Sequence, residues 1–364
     1  MRQETDTTAL GEPVLEIQDF CVEYGQGRTA VRAVLDANLT LRRGELLGLA
    51  GESGSGKSTL AYGATRLLRA PGVTTSGRVI FHHRRSSAPS APSRPVDLLR
   101  VDMARSAAVP WSSQPAVVLQ SAVTALNPMA RIGSQLDDVL RLHRPYLFPD
   151  ERRERAAEML RLVGVSEDRR LFYPHELPGP VRQRVMIAMA LILEPQVVIM
   201  DEPTTALDVL TQREILEELA ALRARLGFAV VFITHDFSPL LELTDSIAIM
   251  YAGRIVEYAA AQDLFSAPRH PYSHGLLTSH SAPNGERPRS GGGGSGSVTR
   301  PRTTLTGCAF RPRCPHAMER CRTGRPPLEP PAGSDREHAV ACWLHNGAET
   351  IPESLAQPEP HSAG

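Results

Sequence analysis

Gly51-Glu52-Ser53-Gly54-Ser55-Gly56-Lys57-Ser58-Thr59 has the residue types and spacing of a phosphate-binding loop, G-x-x-x-x-G-K-[ST]. The apolar run Glu45 to Ala50 before it reads as a buried strand. Leu60 to Leu68 after it has helical spacing. Glycine at 51, 54 and 56 lets the backbone wrap a phosphate chain with its N–H groups turned inward. The N-terminus of the following helix adds partial positive charge. Lys57 has the length to reach β- and γ-phosphates, and the Ser58 hydroxyl suits Mg²⁺.

The rest of a phosphoryl-transfer site lies further along the chain. Val197 to Met200 is a fully apolar strand ending in Asp201-Glu202. Asp201 suits a metal held through water, and Glu202 suits polarisation of an attacking water. His235 ends another buried strand, Phe228 to Thr234, and is expected to contact a γ-phosphate. Gln120 ends the short strand Ala116 to Gln120 and is expected to sense the γ-phosphate through Mg²⁺ or water. Phosphoryl transfer rests mainly on positioning and charge stabilisation, so these parts suffice in kind.

A second group of chemistry-bearing residues is C-terminal. Four of the five cysteines, Cys308, Cys314, Cys321 and Cys342, are spaced C-x5-C-x6-C-x20-C. Four thiolates suit tetrahedral Zn²⁺ or a [4Fe–4S] cluster, and the lack of a C-x2-C knuckle disfavours a zinc ribbon. Arg311, Arg313, Arg320 and Arg322 are expected to offset the thiolate charge. Cys21 stands alone in a predicted strand and is expected to be a small core residue.

The elements that must position these groups follow a pattern. Val14 to Tyr24, Ala33 to Leu41 and Gly77 to Phe81 read as strands. Ile132 to Leu142, Arg152 to Val163 and Val181 to Leu193 have helical spacing, the last apolar nearly all round. Glu214 to Leu226 is amphipathic, and Ser246 to Tyr258 reads as two strands about the turn Ala252-Gly253-Arg254. Strands alternating with helices predict an α/β fold with a mainly parallel sheet covered on both faces. His82 to Pro95 reads as a surface insertion, Pro283 to Arg302 as a Gly/Ser linker, and the polar end after Asn346 as a disordered tail.

Composition narrows the function. Forty basic residues balance forty acidic ones, so bulk charge does not call for nucleic acid. The longest apolar run, Val185 to Leu193, is far short of a membrane span. Met1 to Pro13 lacks the apolar core of a signal peptide. The chain is therefore expected in the cytosol, or at a membrane through a partner.

The phosphate loop, Gln120, Val197-Val-Ile-Met-Asp-Glu-Pro-Thr-Thr-Ala-Leu-Asp208 and Ile233-Thr-His-Asp236 resemble an ATP-binding-cassette (ABC) ATPase from about Val14 to Ala260. Thr124-Ala-Leu-Asn-Pro128, His270-Pro-Tyr272 with Gly275-Leu-Leu277, and the cysteine segment from Gly307 narrow this to the ATPase subunits of bacterial peptide and nickel importers. The resemblance implies a P-loop NTPase fold in residues 1–265, with a helical subdomain at about 121–194. It also implies the His-Pro-Tyr extension (266–282), then the linker (283–306), the four-cysteine segment (307–345) and the tail (346–364). It implies ATP and Mg²⁺, with Tyr24 stacking on adenine and Gly51, Ser53, Gly54, Ser55, Gly56, Lys57, Ser58 and Thr59 cradling the phosphates. Ser58, Gln120 and Asp201 are the implied Mg²⁺ set, and Lys57, Glu202 and His235 the implied catalytic set. The resemblance also implies an iron–sulfur cluster in the cysteine segment, as in some members, which places [4Fe–4S] ahead of Zn²⁺ or free thiols.

Implied partners are a second ABC ATPase, two transmembrane permeases and, indirectly, an extracytoplasmic substrate-binding protein, with no nucleic acid. The implied location is the cytoplasmic face of the membrane. A di- or oligopeptide is the expected cargo, nickel or a metal chelate the alternative, and a non-transport ABC ATPase the rival class. One departure stands out. Where the family has Leu-Ser-Gly-Gly-(Gln/Met), this chain has Leu177-Pro178-Gly179-Pro180-Val181. Pro178 removes a hydroxyl and an N–H, and Pro180 removes another N–H. Proline near a helix start is structurally comfortable, so the helix is expected to survive. The expectation is an asymmetric heterodimer whose partner supplies the intact signature.

Overall fold

The computed structural model describes residues 11–27, 30–83, 95–101, 115–119, 125–203, 209–281, 306–331 and 338–345. In chain order the strands and helices begin with β1 (Pro13–Tyr24), β2 (Val31–Arg42), β3 (Leu46–Ala50), α1 (Lys57–Ala64), β4 (Gly72–Phe81), β5 (Val96–Asp97) and β6 (Ala116–Val118). Next come α2 (Ile132–His143), α3 (Pro149–Leu162), α4 (Gly179–Leu191), β7 (Val197–Asp201), α5 (Val209–Leu226), β8 (Ala229–Ile233) and α6 (Ser238–Leu243). The last are β9 (Ser246–Tyr251), β10 (Arg254–Ala260), α7 (Ala261–Ser266), α8 (Pro271–Ser281), α9 (Arg320–Thr323) and β11 (Ala339–Val340). Among the described residues no helix is long and apolar enough to cross a membrane.

The chain forms two compact units. The first comprises residues 1–16, 39–46 and 79–231. Its strands run in the order β8-β7-β6, and β6 pairs parallel with β7 through Ala116–Val198 and Val118–Met200. Every residue of β7 is buried, which is why the sequence there is an unbroken apolar run rather than an alternating one. Helices α2, α3 and α4 pack together in this unit. Helix α3 starts at Pro149, before the predicted Arg152, because the Glu151 carboxylate accepts the Phe148 N–H at 2.7 Å and Pro149 needs no donor. Buried Gln135 accepts the Asn127 N–H at 2.9 Å and donates to the carbonyls of Asn127 and Ala130, which fixes the Asn127-Pro128 segment.

The second unit comprises residues 17–38, 47–78 and 232–364. Here the order is β11-β10-β9-β3. β3 runs parallel to β9, and β10 antiparallel to both β9 and β11. The predicted parallel sheet is thus incomplete. Strand β10 reverses direction through the tight turn at Ala252 and Gly253, both at positive φ, and β2, β1 and β4 lie side by side as a second sheet. Helix α1 ends at Ala64 rather than Leu68, because Arg66 enters the left-handed region and the Leu67 and Leu68 N–H groups turn back to the Tyr62 carbonyl. Cys21 is not a core residue. It is half-buried, with its Sγ 3.4 Å from Asp36 Oδ1 and accepting the Asp36 N–H at 3.2 Å. An alternating strand exposes one residue in two, and Cys21 falls on the polar face.

Candidate nucleotide site

The phosphate loop follows β3 directly and runs into α1. Its shape depends on glycine. Gly51 has φ 146°, and a Cβ there would lie 2.2 Å from the Met250 carbonyl oxygen. Gly56 has φ 108°, and a Cβ there would lie 2.4 Å from the Ala33 carbonyl oxygen. Both distances are far inside van der Waals contact, so the loop is pressed against main chain on two sides. Gly253 N–H donates to the Ser55 carbonyl at 2.8 Å, and Gly253 in turn accepts from Leu35 N–H at 2.8 Å. The β9–β10 turn is therefore a backstop for the loop. Sequence reasoning placed the turn but gave it no part in the site.

Lys57 is buried, and its Nζ donates to the carbonyls of Gly51 at 2.8 Å and Glu52 at 3.0 Å. These contacts hold the ammonium inside the loop. Ser53 and Gly54 are exposed at its crest, Ser55 is buried, and Ser58 and Thr59 are half-buried in the first turn of α1. The Tyr24 hydroxyl lies 3.3 Å from Thr59 Oγ1. Tyr24 is thus beside the loop helix. His235 follows β8 and is exposed.

Asp201 and Glu202 belong to the first unit. Asp201 is fully buried at the end of β7. Glu202 is half-buried with φ 45°, a left-handed conformation that is costly for a side chain with a Cβ. Gln120, Thr124 and Ala206-Leu207-Asp208 lie outside the described residues. At the signature position, Pro178 precedes α4, Pro180 sits in its first turn, and Arg182 N–H donates to the Pro178 carbonyl at 3.0 Å. The helix tolerates both prolines, beginning two residues before the predicted Val181. Only Gly179 and Val181 carry N–H groups at its start.

In the C-terminal segment all four cysteines line one small cavity of about 10 Å³, walled by Phe310, Met318, Pro326, Trp343 and Leu344. Burial pushes the Cys314 thiol up to about 11 and Cys342 up to about 12, and the neighbouring thiols add to both. Among the described residues no three or more His, Cys, Asp or Glu side chains are gathered tightly enough to hold a metal ion. The thiols surround the cavity instead of converging on a point. Of the four arginines expected to face the thiols, Arg311 lines the same cavity, and the other three have partners elsewhere. Arg313 pairs with Glu52, Arg320 lies 3.8 Å over the Trp343 ring, and Arg322 reaches Glu319 at 3.5 Å. A long guanidinium finds an aromatic face or a carboxylate more readily than a buried neutral thiol.

The extension is anchored by a buried carboxylate. Glu257 of β10 is fully buried and accepts Arg269 N–H at 2.6 Å and His270 N–H at 3.0 Å, while His338 Nε2 lies 2.7 Å from its Oε1. Burial pushes the carboxyl up, but the His338 hydrogen bond and charge and the Arg269 N–H outweigh it and hold the acid below its ordinary range. His270 is buried, which lowers it to about 4 and keeps it neutral. Its Nδ1 accepts the Tyr272 N–H at 3.0 Å at the start of α8.

Strand, glycine loop and helix, with a buried aspartate and a strained glutamate closing a second strand, define a P-loop nucleotide hydrolase. The ABC transporter family matches residues 34–205, and the oligopeptide/dipeptide transporter C-terminal region matches residues 256–321. The oligopeptide transport ATP-binding protein OppD of Salmonella typhimurium is 40% identical over 87% of this chain and 90% of its own length. A probable peptide ABC transporter ATP-binding protein of Sinorhizobium fredii is 38% identical over 95% of this chain and 98% of its own. Among solved structures, the dimeric ATP-binding cassette MJ0796 bound to ADP and Pi is 25% identical with a TM-score of 0.56, over 68% of this chain and 99% of that one. The chain belongs to the ABC transporter ATPases, in the branch that carries the oligopeptide/dipeptide C-terminal region.

Proposed function

We propose that this chain is the ATP-hydrolysing subunit of a di- or oligopeptide importer, bound at the cytoplasmic face of the membrane through two permease subunits. A substrate-binding protein delivers the cargo. The observation that carries the reading is the pairing of a complete phosphate loop with the His-Pro-Tyr extension, in a chain that relatives named for oligopeptide transport match over 87% and 90% of its length. The cargo test is ATPase activity of the reconstituted complex with its binding protein. Stimulation by oligopeptides supports the reading, and stimulation by a nickel chelate alone contradicts it.

In this reading Tyr24 stacks on adenine and the N–H groups of residues 51–59 hold the phosphates. Lys57 leaves its loop carbonyls to meet the β- and γ-phosphates. Ser58, Gln120 and Asp201 are the residues that would hold Mg²⁺, which would supply charge neutralisation for the phosphates. Oxygen donors of this kind suit that hard ion. Glu202 takes a proton from the attacking water as the water oxygen bonds to the γ-phosphorus and the bond to the β–γ bridging oxygen breaks. His235 donates to a γ-phosphate oxygen and orients the water.

The ATPase works as an asymmetric heterodimer. This chain's own site is completed by the partner's intact signature. The partner's site faces Leu177 to Val181, which lacks the serine hydroxyl and two N–H donors. In a complex carrying Glu202→Gln, restoring Pro178→Ser together with Pro180→Gly is expected to recover turnover by about 10²-fold, the worth of a lost transition-state donor. Steady-state phosphate release measures it, and no recovery would mean the partner's site is silent for another reason.

The four cysteines are proposed to hold a [4Fe–4S] cluster rather than Zn²⁺. What supports the cluster is the four thiols lining one cavity together with the family resemblance of the cysteine segment. Protein purified without oxygen is expected to contain iron and acid-labile sulfide near four of each per chain. Stoichiometric zinc without iron would contradict it.

A further inference from the structure

Glu52 is the second residue of the phosphate loop and is held from three sides. Its N–H donates to the Tyr272 hydroxyl at 2.9 Å. Its carboxylate receives two parallel bonds from Arg313, Nη1 to Oε2 at 3.0 Å and Nη2 to Oε1 at 2.8 Å. Its carbonyl accepts the Lys57 ammonium at 3.0 Å and the Ser55 N–H at 3.1 Å. Two of the three clamps therefore come from the C-terminal extension, and the third is the loop lysine itself.

The clamp is stiff. Tyr272, Tyr251 and Phe310 pack as one aromatic cluster, with ring centroids 4.6 to 5.5 Å apart. The Arg313 guanidinium lies over Tyr251 at 5.8 Å and Phe310 at 5.6 Å. A planar fork held by two rings and a carboxylate has few alternative rotamers. Arg313 closes the short 3₁₀ turn Arg311–Arg313 and is followed at once by Cys314. Whatever fixes the cysteines also fixes Arg313.

We propose that Arg313 and Tyr272 are positioning residues for nucleotide binding: through Glu52 they set the carbonyl that parks Lys57 and the curvature of the phosphate loop. The four-cysteine extension is then a strut of the ATP site. This rests on the reading of residues 51–59 as an ATP site. When ATP enters, Lys57 must exchange the Glu52 carbonyl for a phosphate. A loop already held at Glu52 makes that exchange without rearranging, and a loop freed from Arg313 must first be ordered. The cost falls on binding.

The test is a double-mutant cycle on the full chain. A fluorescent ATP analogue is titrated with Mg²⁺, and kcat and KM are measured in the reconstituted complex. Arg313→Gln is expected to weaken nucleotide binding and raise KM roughly tenfold, with kcat changed less than about twofold. Glu52→Gln should do the same. The double variant should be no worse than either single one, because the two act as a unit. Arg313→Lys should recover only part of the loss, since an ammonium cannot make the fork. Thermal melting without nucleotide reports folding, and Glu52→Gln serves if Arg313→Gln does not fold. Unchanged affinity in folded single variants, or losses that simply add in the double variant, would overturn the proposal. Wild-type chain that binds no ATP would overturn the ATP-site reading itself, and the two failures are told apart by that first titration.

Discussion

Glu202→Gln is expected to lower ATP turnover of the assembled transporter by about 10²- to 10⁴-fold, the usual contribution of a general base, while the matching change in the partner ATPase leaves it nearly unchanged. The substitution keeps the shape of the side chain and removes the proton acceptor. KM for ATP should therefore stay close to wild type, because the phosphates are held by residues 51–59 and not by Glu202. The proposed asymmetry follows from Pro178 and Pro180. In the proposed heterodimer they strip donors from the surface that this chain would offer to the partner's nucleotide, whereas the partner's signature would complete the site that holds Glu202. Glu202 also sits at φ 45°, a strained position of the kind that recurs at working sites. Single-turnover and steady-state phosphate release on the two variants decide the matter, and equal losses from both would remove the asymmetry.

His338→Ala is expected to destabilise the C-terminal extension by about 3 to 5 kcal/mol, the cost of leaving a buried carboxylate without its partner. Glu257 has no exposed surface and His338 almost none, so water cannot take the place of the imidazole. The loss should appear as fast hydrogen exchange at Ala339 and Val340 and as protease sensitivity near residue 338. The phosphate loop and its flanking strand and helix would keep their fold but lose the strut at Glu52. The pH dependence has a definite sign. The folded state holds Glu257 below its ordinary value of 4.5, so its contribution is complete above that value and fades as pH falls through the folded pKa. The difference in melting temperature between wild type and Glu257→Gln should be constant above about pH 5 and shrink below it. A difference that instead grew with acid would mean the carboxyl is protonated in the folded chain.

The nucleotide half of the site was legible because its chemistry is local. Glycine spacing, Lys57 and Ser58 are consecutive, and an apolar strand ending in Asp201-Glu202 carries its own signal. Helix α4 was legible for the same reason: proline at a helix start has a fixed physical meaning, and the helix forms as the sequence implies. What escaped is long-range. Nothing in the sequence near Arg313 says that it reaches Glu52, 261 positions away. Among neighbouring cysteines its charge was read as a counterion for thiolates. The backstop formed by Ala33, Met250 and Gly253 is main chain, so its side chains carry no trace of the role. The second sheet was missed because β1, β2 and β4 alternate like any strand and do not declare their partners. Cys21 was misplaced by one step of that alternation.

In the proposed assembly this chain is half of a composite ATPase serving a peptide importer. The most direct measurement is ATP hydrolysis by the purified chain alone, then with its partner ATPase and permeases, and then with the oligopeptide-loaded binding protein added. Turnover should be negligible for the chain alone, present in the complex, and stimulated by the loaded binding protein. Turnover by the isolated chain equal to that of the complex would contradict it, because Leu177 to Val181 would then be completing the site unaided.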